Sequence, residues 1–385
     1  MESPSWIWQQ PTWPAFTWQP DRFTGLLRDC VHEQRLLIGK AGSIEPGVSL
    51  QLVLNALLQN IITSSAIERE ILDAGSVCAA LARRLGMTEP ETAQGTKRSE
   101  GLAELMLDAT QPHAQPISMG RLQHWHRLLF PEPEGRLAHA PIHIGELRGE
   151  EPMQVVSGRL DRPFVHFEAP PRAGLEQEVA AFIDWFNTGS AGMDPLLRAG
   201  VAHLWFVTLH PFDDGNGRMT RALTDLALAQ GQPQAIRFHA MSACILENRQ
   251  GYYQILEHTQ RSTLDITEWL TWFLQMLLGS LRQATSNIDR VLAKAWFWQK
   301  HRAVPLSEEQ LKVVNRLLDG GPKGFENGIS AAHYQAVAKV SKATATRHLG
   351  DLLEKGLVRR LPGGGRSTRY QVCLDIVRGM PSIPV

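Results

Sequence analysis

Between positions 210 and 221 the chain reads His-Pro-Phe-Asp-Asp-Gly-Asn-Gly-Arg-Met-Thr-Arg, and these residue types in this order can handle a phosphate. Gly215-Asn216-Gly217 at the start of a helix allows backbone angles closed to other residues and leaves amide N–H groups unpaired. Those donors sit at the positive end of the helix dipole, where phosphate oxygens bind. Arg218 and Arg221 are three residues apart, so both project to one side, and each guanidinium can hold two oxygens. Asp214 supplies a hard carboxylate oxygen beside them, suited to Mg²⁺ bridging phosphates. His210 precedes the loop and is placed to take a proton from an attacking hydroxyl. A histidine alone at a helix end is more often structural; here it stands beside a complete phosphate cradle.

Two helices must position this loop. The first starts with Asp194 as N-cap and Pro195 at the first position, then runs apolar nearly all round through Ala202, Leu204, Trp205, Phe206 and Val207, so it is central. The second begins near Gly217 and stops at Gly231. Upstream, Asp21 to Leu85 reads as successive helices, with Leu50, Val53, Leu54, Leu57, Leu58 and Ile61 at helical spacing. Residues 89–99 read as a loop. The first twenty residues carry tryptophans among prolines and read as an extended arm whose indoles bury against the domain; stacking on a nucleotide or partner is the alternative. Met153 to Phe167 has two β-prone runs around a turn, a hairpin. Helical spacing returns with Val179, Phe182, Ile183 and Phe186 and continues to about Lys300.

From Pro305 the pattern is helix, tight turn at Ser341, helix, then strand, glycine-rich loop and strand, which resembles a winged helix-turn-helix. From Leu306 on there are 12 Lys/Arg against 7 Asp/Glu, an excess of five that the rest of the chain cancels, since the whole chain has 39 of each. That balance argues against a surface built throughout for nucleic acid. Lys342, Thr344, Thr346, Arg347 and His348 on the second helix could reach bases, with Arg366 and Arg369 at phosphates. Winged helices also dock proteins, so DNA binding stays open. Cys30, Cys78, Cys244 and Cys373 show no metal-ligand spacing and read as reduced thiols of a cytoplasmic protein. No signal peptide and no membrane-spanning run are expected.

The loop resembles the Fic motif, HxFx(D/E)GNGRxxR, at every defined position. The resemblance covers roughly residues 1–300. It implies a mainly α fold, a Fic-type helical bundle with a β-hairpin flap, here followed by a small α+β winged-helix domain. The regions expected are 1–110, with a tryptophan-rich start and an inhibitory helix; 111–300, catalytic; and 305–385, the winged helix. It also implies an autoinhibited protein adenylyltransferase. His210 would deprotonate a Ser, Thr or Tyr hydroxyl, which attacks the α-phosphate of ATP and expels pyrophosphate. Asp214 would hold Mg²⁺, Gly215, Asn216 and Gly217 the anion, and Arg218 and Arg221 the outer phosphates. Gly217 favours AMP transfer, because the related Doc kinases carry lysine there; relatives also use UTP or CDP-choline.

Three further pieces follow from the same resemblance. Met153 to Phe167 is similar to a flap that holds a target segment by strand addition, with a plain structural hairpin as the alternative. Asn248, Tyr252 and Tyr253 fall where relatives contact ribose and adenine, or are core. Ser64 to Glu68 resembles the inhibitory motif (S/T)xxxE(G/N), implying a salt bridge from Glu68 to Arg221 that blocks the γ-phosphate. Arg69 departs from it, standing where Gly or Asn is usual. In some relatives the same glutamate supports AMP removal, so a de-AMPylase stays open, as does a DNA-binding regulator that only senses ATP. A homodimer is expected by resemblance alone.

Overall fold

The computed structural model describes residues 5–87, 95–110, 115–131, 136–137, 140–159, 162–320, 328–362 and 368–373. Residues 89–94 of the expected 89–99 loop and Arg366 lie outside them, while 97–99 of that loop are already helical, the first residues of Lys97–Thr110. Two compact units emerge, residues 1–284 and 285–385.

The first unit is mainly helical. Its elements are α1 (Thr24–Ala41), α2 (Pro46–Ile67), α3 (Ala74–Arg84), α4 (Lys97–Thr110), α5 (Met119–Leu129), the two-residue strands β1 (Arg136–Leu137) and β2 (Ala140–Pro141), the hairpin β3 (Gln154–Arg159) and β4 (Arg162–Glu168), α6 (Leu175–Asp184), α7 (Pro195–Leu209), α8 (Asn216–Gly231), α9 (Pro233–Ile236), α10 (Met241–Glu247), α11 (Arg249–Gln260) and the start of α12 (Thr267–Lys300). The expected helix start before α7 is present: the Asp194 carboxylate accepts from the amides of Leu196 and Leu197, and Pro195 opens the helix. Of the fifteen residues of α7, Leu196, Leu197 and all from Ala199 to Leu209 are buried. This helix packs against α8 and so fixes both ends of the motif loop.

α2 is the one helix among the described residues long and apolar enough to cross a membrane, against the expectation of none. It is a core helix: Val53, Leu54, Leu57, Asn60, Ile61, Ser64 and Ser65 are buried, and it packs on α3, α4, α8 and α10. Asn60 donates to the buried carboxylate of Asp225 on α8 at 2.7 Å. Burial outweighs that bond and the nearby Arg221, and pushes Asp225 up to about 7. The stability that Asp225 gives is therefore fully present below its unfolded value of 3.8 and is lost as pH rises through about 7. Asp225→Asn removes this titration while keeping an acceptor for Asn60. Urea unfolding of the two proteins should show the wild type losing ground to Asp225→Asn between about pH 4 and 7; parallel curves would contradict it.

The N-terminal arm takes the buried alternative. Trp6 packs edge-on against Phe167 at 5.4 Å, under the Arg261 guanidinium, and Trp8 Nε1 donates to the Glu168 carbonyl at 2.7 Å. These tryptophans therefore hold the root of the β3–β4 hairpin. The arm contains a short 3₁₀ turn, Ile7–Gln9, where an extended segment is expected, and a second, Pro20–Arg22, opens the helical region at its end. The cause is local: Gln9 turns back to accept from the Ser5 and Trp6 amides, and Pro20 presets a turn.

In the second unit, α13 (Glu308–Asp319), α14 (Ala331–Ala338) and α15 (Lys342–Glu354) precede the antiparallel pair β5 (Val358–Arg360) and β6 (Tyr370–Val372). Ser341 caps α15 by accepting from the Thr344 amide, which makes the tight turn expected there. The unit boundary falls inside α12, earlier than Pro305, because Phe297 and Trp298 belong to the core formed by Val313, Tyr334, Leu349 and Val358.

Candidate active site

His210 ends α7 in the left-handed region, φ 48°, so its side chain leaves the helix axis and meets the loop that follows. Its ring Nδ1 lies 2.9 Å from the Val207 carbonyl. A carbonyl only accepts, so Nδ1 carries the proton and Nε2 keeps its lone pair. Burial is the main influence on the ring and lowers its pKa; the Val207 bond opposes this and Arg148 adds to it. The imidazole is thus neutral at neutral pH, and its basic Nε2 has no hydrogen-bond partner among the described residues.

The loop is closed by its own side chains. Asn216 accepts from the Phe212 amide at 3.0 Å and donates to the Phe212 carbonyl at 2.7 Å, which shapes the turn from inside. Its side chain is therefore structural, and since Asp214 takes the Gly215 amide, the backbone donors left for an anion are those of Asn216 and Gly217. Gly215 has φ 77°, which the turn into α8 requires. Phe212 is buried and stacks on His126 at 4.3 Å. His126 accepts from the Gly145 amide, so its Nε2–H donates to the Asp214 carbonyl at 3.1 Å. Asp214 has one carboxylate oxygen on the Gly215 amide at 2.6 Å, and the same oxygen lies 3.7 Å from Arg218.

The resemblance placed Glu68 against Arg221, and the structure brings them together. Arg221 donates to the Glu68 carboxylate at 2.8 Å, to Ser64 Oγ at 2.8 Å and to the Ser64 carbonyl at 2.8 Å. Burial works to raise the Glu68 pKa, but Arg221 overrides it and holds the carboxyl below the usual range. A Cβ on residue 217 would collide with Glu68 Oε1, so glycine there is what lets the carboxylate reach across. Tyr253 donates to the Ile67 carbonyl at 3.3 Å and Arg249 does so at 2.6 Å, which holds the end of α2 on α11.

The departure at Arg69 is resolved by backbone geometry. Glu70 N–H bonds the Ser65 carbonyl and Arg69 N–H bonds that of Ala66, a Schellman end to α2. Such an end needs a left-handed residue after the cap, and Arg69 adopts φ 64° to provide it. A non-glycine residue is strained there. Arg69→Gly is expected to stabilise the chain by about 0.5–1 kcal/mol, read from the urea midpoint at unchanged slope. A loss of stability would contradict the assignment.

Tyr252 and Tyr253 separate. Tyr252 is 2% exposed, with its hydroxyl 3.0 Å from His203 Nε2 and its ring stacked on Trp272, so it takes the core alternative and is not available to a base or ribose. Tyr253 is 37% exposed and faces Glu68. Asn248 joins α10 to α11 at the surface, its amide folded over Gly251.

Four residues were not singled out from the sequence. Arg148, 1% exposed, donates to the His210 carbonyl at 2.9 Å and to the Pro170 carbonyl, and its amide donates to the Pro211 carbonyl, which fixes the histidine turn to the end of the hairpin. Asp213 accepts from the amide and ring of His143 and from the Gly149 amide; these bonds override burial and keep its pKa low. Glu70 pairs with Arg218 at 2.7 Å and with Arg98.

On the hairpin, β3 and β4 pair antiparallel with a bulge between Val155 and Val156. His166 bridges Ser157 at 2.6 Å and Glu257 of α11 at 2.7 Å, and Arg261 donates to the Val165 and His166 carbonyls. The outer edge of β4 is thereby engaged, and among the described residues no backbone hydrogen bond reaches the outer edge of β3. Val156 and Phe164 are exposed.

Comparison with known proteins agrees with this geometry. Residues 116–228, which contain the whole loop, match the Fic/DOC family, and residues 6–87 match a domain of unknown function. The chain thus carries a Fic/DOC-family domain. It is 30% identical over 156 residues to the protein adenylyltransferase fic-1 of Caenorhabditis briggsae, covering 38% of this chain and 29% of that protein. It is 27% identical over 164 residues to the protein adenylyltransferase Fic of Drosophila willistoni, covering 40% and 33%. The chain spans about a third of the length of these relatives. Among solved structures, a Fic family protein from Desulfovibrio desulfuricans G20 superimposes with a TM-score of 0.53 at 21% identity, over 95% of this chain and 99% of that one, a likeness of fold.

Proposed function

We propose that this chain transfers AMP from ATP to a hydroxyl side chain of a protein, itself included, and that Glu68 restrains the reaction. The observation that carries the reading is the His210 tautomer: a neutral imidazole with Nε2 free, at the N-terminal end of α8 and beside two arginines. Nε2 takes the hydroxyl proton, the oxygen bonds the α-phosphorus, and the bond to the β-phosphate oxygen breaks to release pyrophosphate. Backbone donors of Asn216 and Gly217 and the guanidiniums of Arg218 and Arg221 hold the departing charge. The fit to Mg²⁺ rests on Asp214, which is 39% exposed, whereas the neighbouring Asp213 carboxylate is taken up by His143 and Gly149. Among the described residues no group of three or more His, Cys, Asp or Glu could hold a metal unaided, which suits an ion bound mainly by substrate phosphates. Held by Asp214, Mg²⁺ would supply positive charge that neutralises the polyphosphate. A target segment would lie along the β3 edge, with Val156 and Phe164 as apolar contacts.

Incubation with ATP labelled at the α- or the γ-phosphate tests the reaction. Label entering protein from the α-position only supports AMP transfer; entry from the γ-position only would replace it with phosphate transfer.

A second reading concerns the C-terminal unit alone. α15 exposes Lys342, Thr346 and Arg347 side by side, in a region with a basic excess of five, and we propose that this face binds DNA. Affinity for duplex DNA should then fall steeply as salt rises; a flat salt response would sink the idea.

A further inference from the structure

Besides Asp214 within the loop, the arginines of the motif meet two carboxylates that follow the end of α2. Glu68 pairs with Arg221, and Glu70, across the left-handed Arg69, pairs with Arg218 and with Arg98 at the start of α4. Three guanidiniums therefore converge on two carboxylates. Arg98 and Arg218 flank the Phe130 ring at 5.9 and 5.1 Å, and Arg98 also donates to the Leu129 carbonyl at 3.0 Å. Their positions are set by α5 as well as by Glu70. Each of the three arginines keeps a buried N–H with no hydrogen-bond partner among the described residues: Arg98 Nε, Arg218 Nε and Arg221 Nη1. A cluster with donors to spare is matched to a ligand richer in oxygens than two carboxylates. The cavity beside Arg218 and Arg221, lined also by Ser64 and Asp225, is about 20 Å³, room for one water. That space is too small for a phosphate group, and Glu68 and Glu70 occupy guanidinium donors that an anion would use.

We propose that Arg98 is a third polyphosphate-binding residue, and that Glu70 is a second restraining carboxylate which holds Arg98 and Arg218 in the ligand's place. The ligand class is a linear polyphosphate; that its natural form is ATP rests on the function proposed above. Release of Glu68 alone then leaves half of the site occupied.

Titration calorimetry with inorganic tripolyphosphate, ATP and AMP separates the two claims. Glu70→Gln should tighten tripolyphosphate and ATP roughly fivefold or more, and leave AMP, which lacks the outer phosphates, unchanged. Adding Arg98→Met should remove the gain, and adding Arg98→Lys should keep part of it, with melting temperature confirming that each variant folds. Unchanged or weaker tripolyphosphate binding in Glu70→Gln would overturn the proposal. A gain for tripolyphosphate without any AMP transfer from ATP would leave the arginine cluster standing and remove the enzymatic reading.

Discussion

Glu68→Gly is expected to raise AMP transfer by roughly 10–100-fold over the wild type, the range given by loss of one charge-assisted interaction of about 1.5–3 kcal/mol. The reason is the geometry at Arg221. Its guanidinium is 3% exposed and donates at once to Glu68 and to both oxygens of Ser64. Glu68 lowers its own pKa by this pairing, so it stays ionised through the neutral range and competes directly with an outer phosphate. Its carboxylate also occupies the space above Gly217 that the start of α8 leaves open. Removing the side chain frees the arginine without touching the loop, which Asn216 and Asp213 close independently. A rate no higher in Glu68→Gly would mean that the ion pair is structural. Loss of activity would instead favour AMP removal as the reaction that this glutamate supports.

His210→Ala in the released chain is expected to cut transfer by about 10²–10⁴, the usual worth of a general base. ATP binding should change little, because the phosphate contacts come from the start of α8 and the arginines and not from the imidazole. The effect is separable from folding: His210 holds the chain through its backbone, whose carbonyl accepts from Arg148 and whose amide bonds Phe206. Alanine at φ 48° carries some strain, so a melting curve belongs with the assay. His210→Asn is the companion variant, since asparagine tolerates the left-handed region and removes the base equally.

The loop from His210 to Arg221 was legible because its chemistry is contiguous: a helix end, a glycine turn and a helix start lie within twelve residues. The helices around it were legible from apolar spacing, and α7 from a nearly continuous run that had to be central. The Glu68–Arg221 contact spans 153 positions and was reached only through resemblance, since SxxxE alone describes many helix surfaces. Arg148, Asp213, Glu70 and Arg98 gave no local signal. Arg148 acts on a carbonyl 62 positions away, and a buried arginine cannot be told from an exposed one by its neighbours in sequence. Tyr252 and Tyr253 show the same limit at close range. Adjacent residues on α11 point about 100° apart, so one meets His203 and the other Glu68; which does which depends on how the helix is seated. Glu70 is the most telling omission, because the departure at Arg69 was visible and its consequence for the next residue was not.

The most direct test of the account is transfer of α-phosphate label from ATP onto protein by Glu68→Gly, measured beside Glu68→Gly with His210→Ala. Strong labelling is expected in the first and near loss of it in the second, with both proteins folded and both binding ATP. Equal labelling with and without the imidazole, or none in either while ATP is bound, would contradict it.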